Sequence, residues 1–377
     1  MTPARPRVAL AHDWLVGYRG GEAVLDAIVR MCAGPCEIAG LYTMFDDGRA
    51  VTPAIDAIPR VVSSLGKRPA GLRRWLLPRY PSAVRELERQ LARAHASRPI
   101  DLLVSTSSAA IKGLAPPPGV PHICYCHSPA RYLWSQGSEY GRGRLGWLRR
   151  AGLGLLGPGL RAWDVGTSHT VTQFVANSTH TQREIARCFN RASVVVHPPI
   201  RTTFFTPPVS GQGRAGWLYV GALEPYKRVD LAIRGAHAAG ARLTIVGTGS
   251  QSGHLRSIAG NGVEFTGRLG DEEVREHFRS ASLLVFPQIE DFGIVAVEAQ
   301  ACGLPVVAFR AGGALDSVVD GKTGVFFDRP TAEAMVAAAK GCLELGDVSG
   351  ACRANAERFS QERFEREMLA VIEGALR

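Results

Sequence analysis

Short, almost uninterrupted apolar runs recur at regular intervals in the second half of the chain, and they constrain the fold more than any other feature. The runs occupy residues 216–220, 242–246, 263–266, 282–286 and 305–309. Amphipathic stretches with helical spacing lie between them, for example at 229–238 and 271–280. Parallel strands that are covered by helices on both faces are apolar throughout, so this pattern predicts a doubly wound α/β domain.

The first half follows the same alternation less regularly. Its strand-like runs lie at residues 7–11, 101–105, 122–126 and 174–177. Residues 22–31 have helical spacing, and prolines and glycines are concentrated at 197–215. A chain of 377 residues is long enough for two domains. We therefore predict two Rossmann-like domains with parallel sheets, joined near residues 197–215.

The most specific motif is the string EDFGIVAVE, which begins at Glu290 and ends at Glu298. It follows a predicted strand and starts a predicted helix. Backbone N–H groups near Phe292, Gly293 and Ile294 would therefore present the positive end of a helix dipole to an anion. Glu298 lies about 6–8 Å along the helix axis. One carboxylate can then face a sugar ring while the other reaches ribose hydroxyls.

Two glutamates with seven residues between them, in this strand–loop–helix setting, resemble the signature of family-4 retaining glycosyltransferases with the GT-B fold. The resemblance extends over nearly the whole chain and is strongest at 216–330. It implies two Rossmann-like, doubly wound α/β domains that face each other across a cleft. The acceptor-binding domain would occupy 1–203 and the nucleotide-sugar-binding domain 204–358, and a C-terminal helix at about 359–377 would pack back on the first domain.

The segment GALEPYKR, which begins at Gly221, follows a predicted strand and resembles the family's loop for the donor diphosphate. The resemblance assigns Gly221 and Lys227 to donor binding, and a lysine ammonium suits phosphate oxygens. Many members have an arginine directly after the glycine, where this chain has Ala222. Arg228 is a candidate substitute for that arginine. An exposed helix start would also explain the two basic residues.

Three further segments match in the family's order. The turn with Gly20 and Gly21 would close over donor and acceptor, although an ordinary tight turn explains it equally well. His127 follows the strand-like run HICYC and resembles the histidine that contacts the transferred sugar. Gly247 and Arg268 follow strands of the second domain, where the resemblance places the nucleotide.

The resemblance implies a front-face, retaining reaction in which the departing phosphate accepts the acceptor's proton. The enzyme then mainly positions the reactants and stabilises charge. Glu290 and His127 would contact the donor sugar, Lys227 and helix amides the diphosphate, and Glu298 the ribose. No metal or other cofactor is needed in this scheme, and the second half has no Asp-x-Asp at a strand end. The acidic pair in the segment FDDG is expected to be solvated.

The net charge of +10 is unevenly distributed. Residues 1–203 hold 26 Lys/Arg and 13 Asp/Glu, whereas residues 204–377 hold 18 and 21. Basic residues in 67–98 and 142–161 are interleaved with Trp, Tyr and Leu, which suits docking at an anionic lipid surface. We therefore expect a membrane surface as partner rather than a nucleic acid. Solvated arginine faces would explain the same composition.

Three strings, HDWL, YCHSPARYLW and PYKRVDLAI, look similar to mannosyltransferases of bacterial surface-polysaccharide (O-antigen type) assembly. The resemblance makes GDP-mannose the first candidate donor and a UDP-hexose the second. A glycan or lipid-linked glycan would be the acceptor.

Two other classes of protein remain as alternatives. The first is a membrane- or nucleic-acid-binding protein on a Rossmann-like scaffold. The second is a nicotinamide-dependent oxidoreductase, because the glycines from Gly247 to Gly253 imitate a dinucleotide fingerprint. That fingerprint lies in the middle of the second domain rather than at its start, which argues against the oxidoreductase.

The sequence also predicts where the protein works. It has no apolar run of 18 or more residues, and residues 1–7 lack the apolar stretch of a secretory signal. We therefore expect a cytoplasmic protein, peripheral on the inner face of the membrane. The eight cysteines form no CxxC pair and are expected to be buried, reduced thiols.

Overall fold

The chain forms two compact units in its computed structural model, which describes residues 5–68, 75–135, 146–208 and 213–377. The first unit contains Met1–Pro199 and Phe364–Arg377, and the second contains Ile200–Arg363. The division at Pro199 lies slightly before the predicted boundary at residue 203.

The first unit is built on a parallel sheet with seven strands among the described residues. They are β1 (Arg7–Leu15), β2 (Glu37–Asp46), β3 (Arg60–Val62), β4 (Leu102–Ser107), β5 (His122–Cys126), β6 (Gln173–Ala176) and β7 (Ser193–Val195). Their order is β3-β2-β1-β4-β5-β6-β7, so the direction of winding reverses between β1 and β4. In open α/β sheets, ligands bind at the carboxyl ends of the strands at such a reversal.

Helices cover both faces of this sheet. They are α1 (Gly20–Cys32), α2 (Pro53–Asp56), α3 (Tyr80–Ser97), α4 (Arg131–Trp134), α5 (Gly146–Ser168) and α6 (Thr179–Phe189). Successive residues of β1 point to opposite faces. Val8 and Leu10 pack in the core that contains α1, whereas Ala9 and Ala11 pack in the core that contains α3.

The second unit contains a parallel sheet with six strands among the described residues. They are β8 (Trp217–Val220), β9 (Leu243–Val246), β10 (Val263–Gly267), β11 (Leu283–Phe286), β12 (Val306–Phe309) and β13 (Gly324–Phe327). Their order, β10-β9-β8-β11-β12-β13, repeats that of the first six strands of the other sheet. The winding reverses here between β8 and β11.

Helices also cover both faces of the second sheet. They are α7 (Val229–Ala239), α8 (Ser252–Ala259), α9 (Asp271–Ser280), α10 (Ile294–Ala301), α11 (Ala314–Ser317), α12 (Ala332–Glu344) and α13 (Ser349–Glu357), and the chain ends with α14 (Gln361–Leu376). Trp217 and Tyr219 pack with α7 and α12, whereas Leu218 packs with α10. The last helix, α14, contributes Phe364 and Met368 to the core of the first unit, on the same face as α1.

Several details differ from the sequence-based expectations. The apolar pattern does not predict β2, β3, β7 or β13, because three of these have only three or four residues and β2 contains glycine and polar residues. Asp46, expected to be solvated, ends β2 and pairs with Arg60 at 2.9 Å. Gly20 and Gly21, expected in a turn, form the start of α1.

Two other expectations concern membrane spans and cysteines. In the described part of the chain, no helix is both long and apolar enough to cross a membrane. All eight cysteines fall within the described residues and are buried free thiols, as predicted.

Candidate functional site

The reversal in the second sheet brings two predicted site segments side by side. The loop from Gly221 to Lys227 follows β8, and the loop from Pro287 to Gly293 follows β11. Because β8 and β11 are neighbouring parallel strands, both loops leave the sheet at the same edge. The sequence motifs therefore lie where this kind of sheet binds its ligand.

An ion pair joins the two loops. The Lys227 ammonium donates to Oε1 of Glu290, and their side chains are only 12% and 22% exposed. The Gln288 amide donates to the same oxygen at 3.0 Å. Lys227 and Glu290 were both predicted site residues, whereas Gln288 was not. Its position two residues before the motif that begins at Glu290 was the available signal.

The start of α10 provides backbone donors beside this pair. Gly293 is the N-cap residue, with φ of 90°, and as a glycine it has no side chain that could cap the helix. A Cβ at Gly293 would lie 2.7 Å from the ring of Phe286, so the position requires glycine for space as well as for conformation. The first N–H groups of a helix lack intrahelical partners. The segment that begins at Ile294 is therefore suited to an anion.

Phe292, a predicted donor-binding residue, has its side chain in the core. Its side chain is 3% exposed and packs in the core, with its ring 5.4 Å from that of Phe359. This packing anchors the loop that leads into α10.

Glu298 lies in the middle of α10. Burial of its carboxyl group raises the pKa to about 7, while the positive charge of Arg201 lowers it and Asp271 raises it. Near neutral pH the group is therefore divided between its protonated and ionised forms. Hydroxyl groups that donate to the carboxylate would stabilise the ionised form.

The glycines after β9 have a packing role. A Cβ at Gly247, where φ is 140°, would lie 1.9 Å from the carbonyl oxygen of Gly221, and one at Gly249 would meet the backbone of Leu223 at 2.4 Å. The two loops are further joined by Glu224, which accepts hydrogen bonds from Ser250. The glycines thus let the loop after β9 support the Gly221 loop. The nicotinamide alternative loses support, because a dinucleotide fingerprint belongs after the first strand of the domain, which is β8.

Arg228 and Arg268 are more peripheral. Arg228 adopts a left-handed conformation, with φ of 52°, at the start of α7, and its guanidinium lies 3.6 Å from Asp230. Arg268 directly follows β10 and is exposed. The structure does not bring either of them to the Lys227–Glu290 pair by a direct contact.

In the first unit, His127 directly follows β5. Its backbone N–H donates to the carbonyl of Ser107 at 2.8 Å. Burial lowers the pKa of the imidazole to about 3, with further lowering by His12 and Arg131, so the ring is neutral at physiological pH. Its Nε2 atom is buried and has no hydrogen-bond partner among the described residues. A neutral ring nitrogen in this state suits a hydroxyl group of a ligand.

A second histidine, which the sequence interpretation missed, lies beside it. A Cβ at Gly21 would be 3.6 Å from the His12 ring and 3.7 Å from the His127 ring, so both imidazoles border the start of α1. His12 hydrogen-bonds Thr106 at 2.6 Å and lies 3.9 Å from Glu22. Gly20 is the first residue of α1.

Next to His12, Asp13 fills the backbone donors at the reversal of the first sheet. Its carboxylate accepts N–H groups from four consecutive residues at 2.6–2.9 Å, which are Ser108, Ala109, Ala110 and Ile111. The side chain is almost fully buried, with the residue 1% exposed. The carboxylate of Asp13 therefore already occupies these four backbone donors.

Solved structures share this architecture. Sucrose-phosphate synthase from Thermosynechococcus elongatus has a TM-score of 0.72 and 17% identity, covering 98% of this chain and 99% of that chain. Anabaena HepE in complex with UDP-glucose has a TM-score of 0.69 and 16% identity, covering 98% and 99%. Identities this low establish the fold alone. The fold of the chain is GT-B.

Family models match most of both units. Residues 41–204 match Glycosyltransferase Family 4, and residues 201–359 match Glycosyl transferases group 1. Together the two models span residues 41–359, so the chain has the fold and the domain composition of family-4 GT-B glycosyltransferases.

Curated relatives are similar over shorter stretches. A D-inositol 3-phosphate glycosyltransferase of Geodermatophilus obscurus is 31% identical over 254 residues, 58% of this chain and 56% of that protein. A GDP-mannose-dependent alpha-(1-6)-phosphatidylinositol monomannoside mannosyltransferase of Mycolicibacterium smegmatis is 31% identical over 204 residues, 46% of this chain and 53% of that protein. The chain thus spans about half the length of these relatives.

Proposed function

We propose that the protein transfers a hexose, with retention of anomeric configuration, from a nucleotide diphosphate sugar to a glycan or lipid-linked glycan. The observation that carries the proposal is the Lys227–Glu290 pair beside the uncapped start of α10. A cation and helix N–H groups suit a diphosphate, and a neighbouring carboxylate suits sugar hydroxyls.

The proposed reaction needs little covalent chemistry from the protein. The acceptor oxygen attacks the anomeric carbon, the bond from that carbon to the phosphate oxygen breaks, and the acceptor proton passes to the departing phosphate. Lys227 and the α10 amides stabilise the charge on this leaving group. Glu298 takes the ribose hydroxyls, while Glu290 and His127 take hydroxyls of the donor sugar. No metal is required.

GDP-mannose is the proposed donor, and a UDP-hexose is the second candidate. The mannosyltransferase relative uses GDP-mannose according to its name, which supports the first, and HepE binds UDP-glucose, which supports the second. A surface polysaccharide is the proposed product, because three strings of the sequence resemble mannosyltransferases of bacterial surface-polysaccharide assembly.

A screen of nucleotide sugars tests the proposal. The protein is incubated with GDP-mannose, UDP-glucose or UDP-galactose, and nucleotide diphosphate release is measured with and without lipid-linked glycan acceptors. We expect release with one donor and a product of retained configuration by NMR. Inversion, or no binding of any nucleotide sugar, would contradict the proposal.

An anionic membrane surface is the proposed partner on the acceptor side. Between Glu139 and Asp164 the chain has five arginines and no acidic residue. Within α5, Leu155 is 82% exposed and Leu156 is 42% exposed. A Cβ at Gly154 or Gly159 would meet nothing within 4 Å, and both residues are exposed. Arginines with exposed leucines suit an anionic bilayer.

Part of this predicted surface cannot be described, because residues 69–74 and 136–145 lie outside the described residues. In the described part, Trp75 is 41% exposed, whereas Leu77 and Tyr80 are buried in the core. The α5 segment is therefore the stronger docking candidate.

Flotation with liposomes tests the membrane partner. We expect binding to vesicles that contain phosphatidylglycerol, weakening as salt rises, and a several-fold loss in Leu155→Asp. Leu343→Asp is the matched control, because Leu343 is 52% exposed on α12 of the second unit. Binding of RNA without binding of vesicles would contradict this partner and favour the nucleic-acid alternative.

A further inference from the structure

Gln288 is a buried polar residue whose hydrogen bonds point to the donor site. It lies two residues beyond β11 and is 1% exposed. Its Nε2 donates to Oε1 of Glu290 at 3.0 Å, while its own oxygen is buried and has no partner among the described residues. In a buried side-chain amide, the nitrogen and the oxygen normally both have hydrogen-bond partners. A buried amide in which only the nitrogen has a partner therefore requires an explanation.

The geometry fixes the orientation of this amide. A carboxylate only accepts hydrogen bonds, so the nitrogen of Gln288 must face Glu290. The Lys227 ammonium donates to the same carboxylate oxygen. One oxygen of Glu290 is therefore shared between a cation from the β8 loop and a neutral amide from its own loop.

A bound ligand would affect the Lys227 ammonium and the Gln288 amide differently. Phosphate oxygens compete with Glu290 for the Lys227 ammonium, because both are anionic acceptors within reach of one flexible cation. The neutral amide of Gln288 is far less attractive to a phosphate. It continues to hold the Glu290 carboxylate when Lys227 moves.

We infer that Gln288 is a positioning residue for recognition of the donor sugar. It keeps the Glu290 carboxylate in place while Lys227 exchanges that carboxylate for the donor phosphate. The inference rests on the proposed function, since it assigns Glu290 to sugar hydroxyls and Lys227 to the diphosphate.

A second buried glutamine shows what a purely structural one looks like. Gln300 on α10 is 0% exposed. Its nitrogen donates to the carbonyls of Ala296 and Ser317, and its oxygen accepts from Asn355 at 2.7 Å. Both ends of this amide are used to join helices. Gln300 therefore serves as the matched control for Gln288.

The test compares Gln288→Met with Gln300→Met. Methionine has nearly the same length and no donor, and thermal unfolding reports whether each variant folds. Calorimetry then measures Kd for GDP and GDP-mannose, and for UDP and UDP-glucose. We expect Gln288→Met to bind the free diphosphates within about threefold of wild type and the cognate sugar nucleotide about 10- to 100-fold more weakly, the usual range for a hydrogen bond to a charged group. Gln300→Met should change both affinities equally or not at all.

The pH dependence of kcat/KM provides a second measurement, which a change in packing alone would not shift. Removal of a donor makes protonation of Glu290 easier. In the Glu298→Gln background, which removes the titration near pH 7, the acid limb of kcat/KM should therefore move to higher pH in Gln288→Met and further in Gln288→Glu, which adds a like charge. The limb should not move in Gln300→Met.

Two results would overturn the inference. One is Gln288→Met with an unchanged ratio of the two affinities and an unchanged acid limb. The other is the same behaviour in both glutamine variants. If Gln288→Met does not fold, Gln288→Glu decides through the same ratio and limb. A wild-type protein that binds no nucleotide sugar would instead contradict the proposed function, so the two failures are distinguishable.

Discussion

The two sheets have the same strand order where their winding reverses. They differ in the residues that lie next to the backbone N–H donors at that point. In the first unit, four consecutive N–H groups donate to the carboxylate of Asp13. In the second unit, the N-cap residue of α10 is Gly293, which has no side chain to accept the helix N–H groups. One unit thus supplies its own anion, whereas the other leaves helix donors beside a lysine. This difference supports the proposal that the anionic donor binds at the reversal of the second sheet.

The side chains around the two reversals also differ. In the first unit, the buried Nε2 of His127 has no hydrogen-bond partner among the described residues, and His12 hydrogen-bonds the hydroxyl of Thr106. The second places Lys227 and two glutamates around α10. Polyhydroxylated ligands suit the first set, and a charged nucleotide suits the second.

Replacement of Asp13 should have the largest effect. Asp13→Ala leaves four buried N–H groups without their acceptor, which we expect to lower the free energy of unfolding by about 3–5 kcal/mol. Urea denaturation measures the loss. Asp47→Ala is the control, because Asp47 is exposed. A loss below about 1 kcal/mol would show that the donors of the first unit do not depend on an internal anion.

The second effect in size concerns Lys227. Lys227→Ala should weaken binding of the nucleotide diphosphate about 100-fold, equal to about 2.7 kcal/mol, because a partly buried cation is lost from the anion site. Calorimetry with GDP and UDP measures it. Lys340→Ala, an exposed lysine on α12, should bind like wild type. Equal affinities in all three proteins would remove the proposed difference between the two units.

Removal of the internal competitor should act in the opposite direction. Glu290→Gln takes a negative charge from Lys227, so free GDP or UDP should bind about tenfold more tightly, or about 1.4 kcal/mol. Transfer of the sugar should nevertheless fall, because the carboxylate that faces its hydroxyls is gone. Weaker binding of the free diphosphate would contradict the competition.

The smallest effect is a dependence on pH. Since burial raises the pKa of Glu298 to about 7, its ionised form grows as pH rises from 6 to 8. Nucleotide affinity should rise several-fold over that range and stay flat in Glu298→Gln. The same shift has the opposite sign for stability. The folded protein binds the extra proton between the ordinary pKa and about 7, so this contribution is present at low pH and is lost as pH rises through 7.

The parts of the fold that follow from local sequence could be predicted. Continuous apolar runs marked β5, β11 and their neighbours, and the string that begins at Glu290 located the start of α10 within one or two residues. These features depend on residues that are close along the chain, so a linear pattern records them.

Contacts between distant residues could not be predicted in this way. Asp13 reaches donors 95–98 residues away, and Lys227 reaches Glu290 across 63 residues. The role of Asp13 as an internal anion, and that of Gly247 as a close neighbour of Gly221, depend on strand order, which no single motif carries.

A double-mutant cycle tests the central claim, that the donor diphosphate and Glu290 compete for one cation. Kd for GDP and UDP is measured in wild type, Lys227→Ala, Glu290→Gln and the double variant. The competition predicts that the tenfold gain from Glu290→Gln shrinks to less than about twofold when Lys227 is absent. An equal gain in both backgrounds would contradict the account, because the carboxylate would then act on the nucleotide without Lys227.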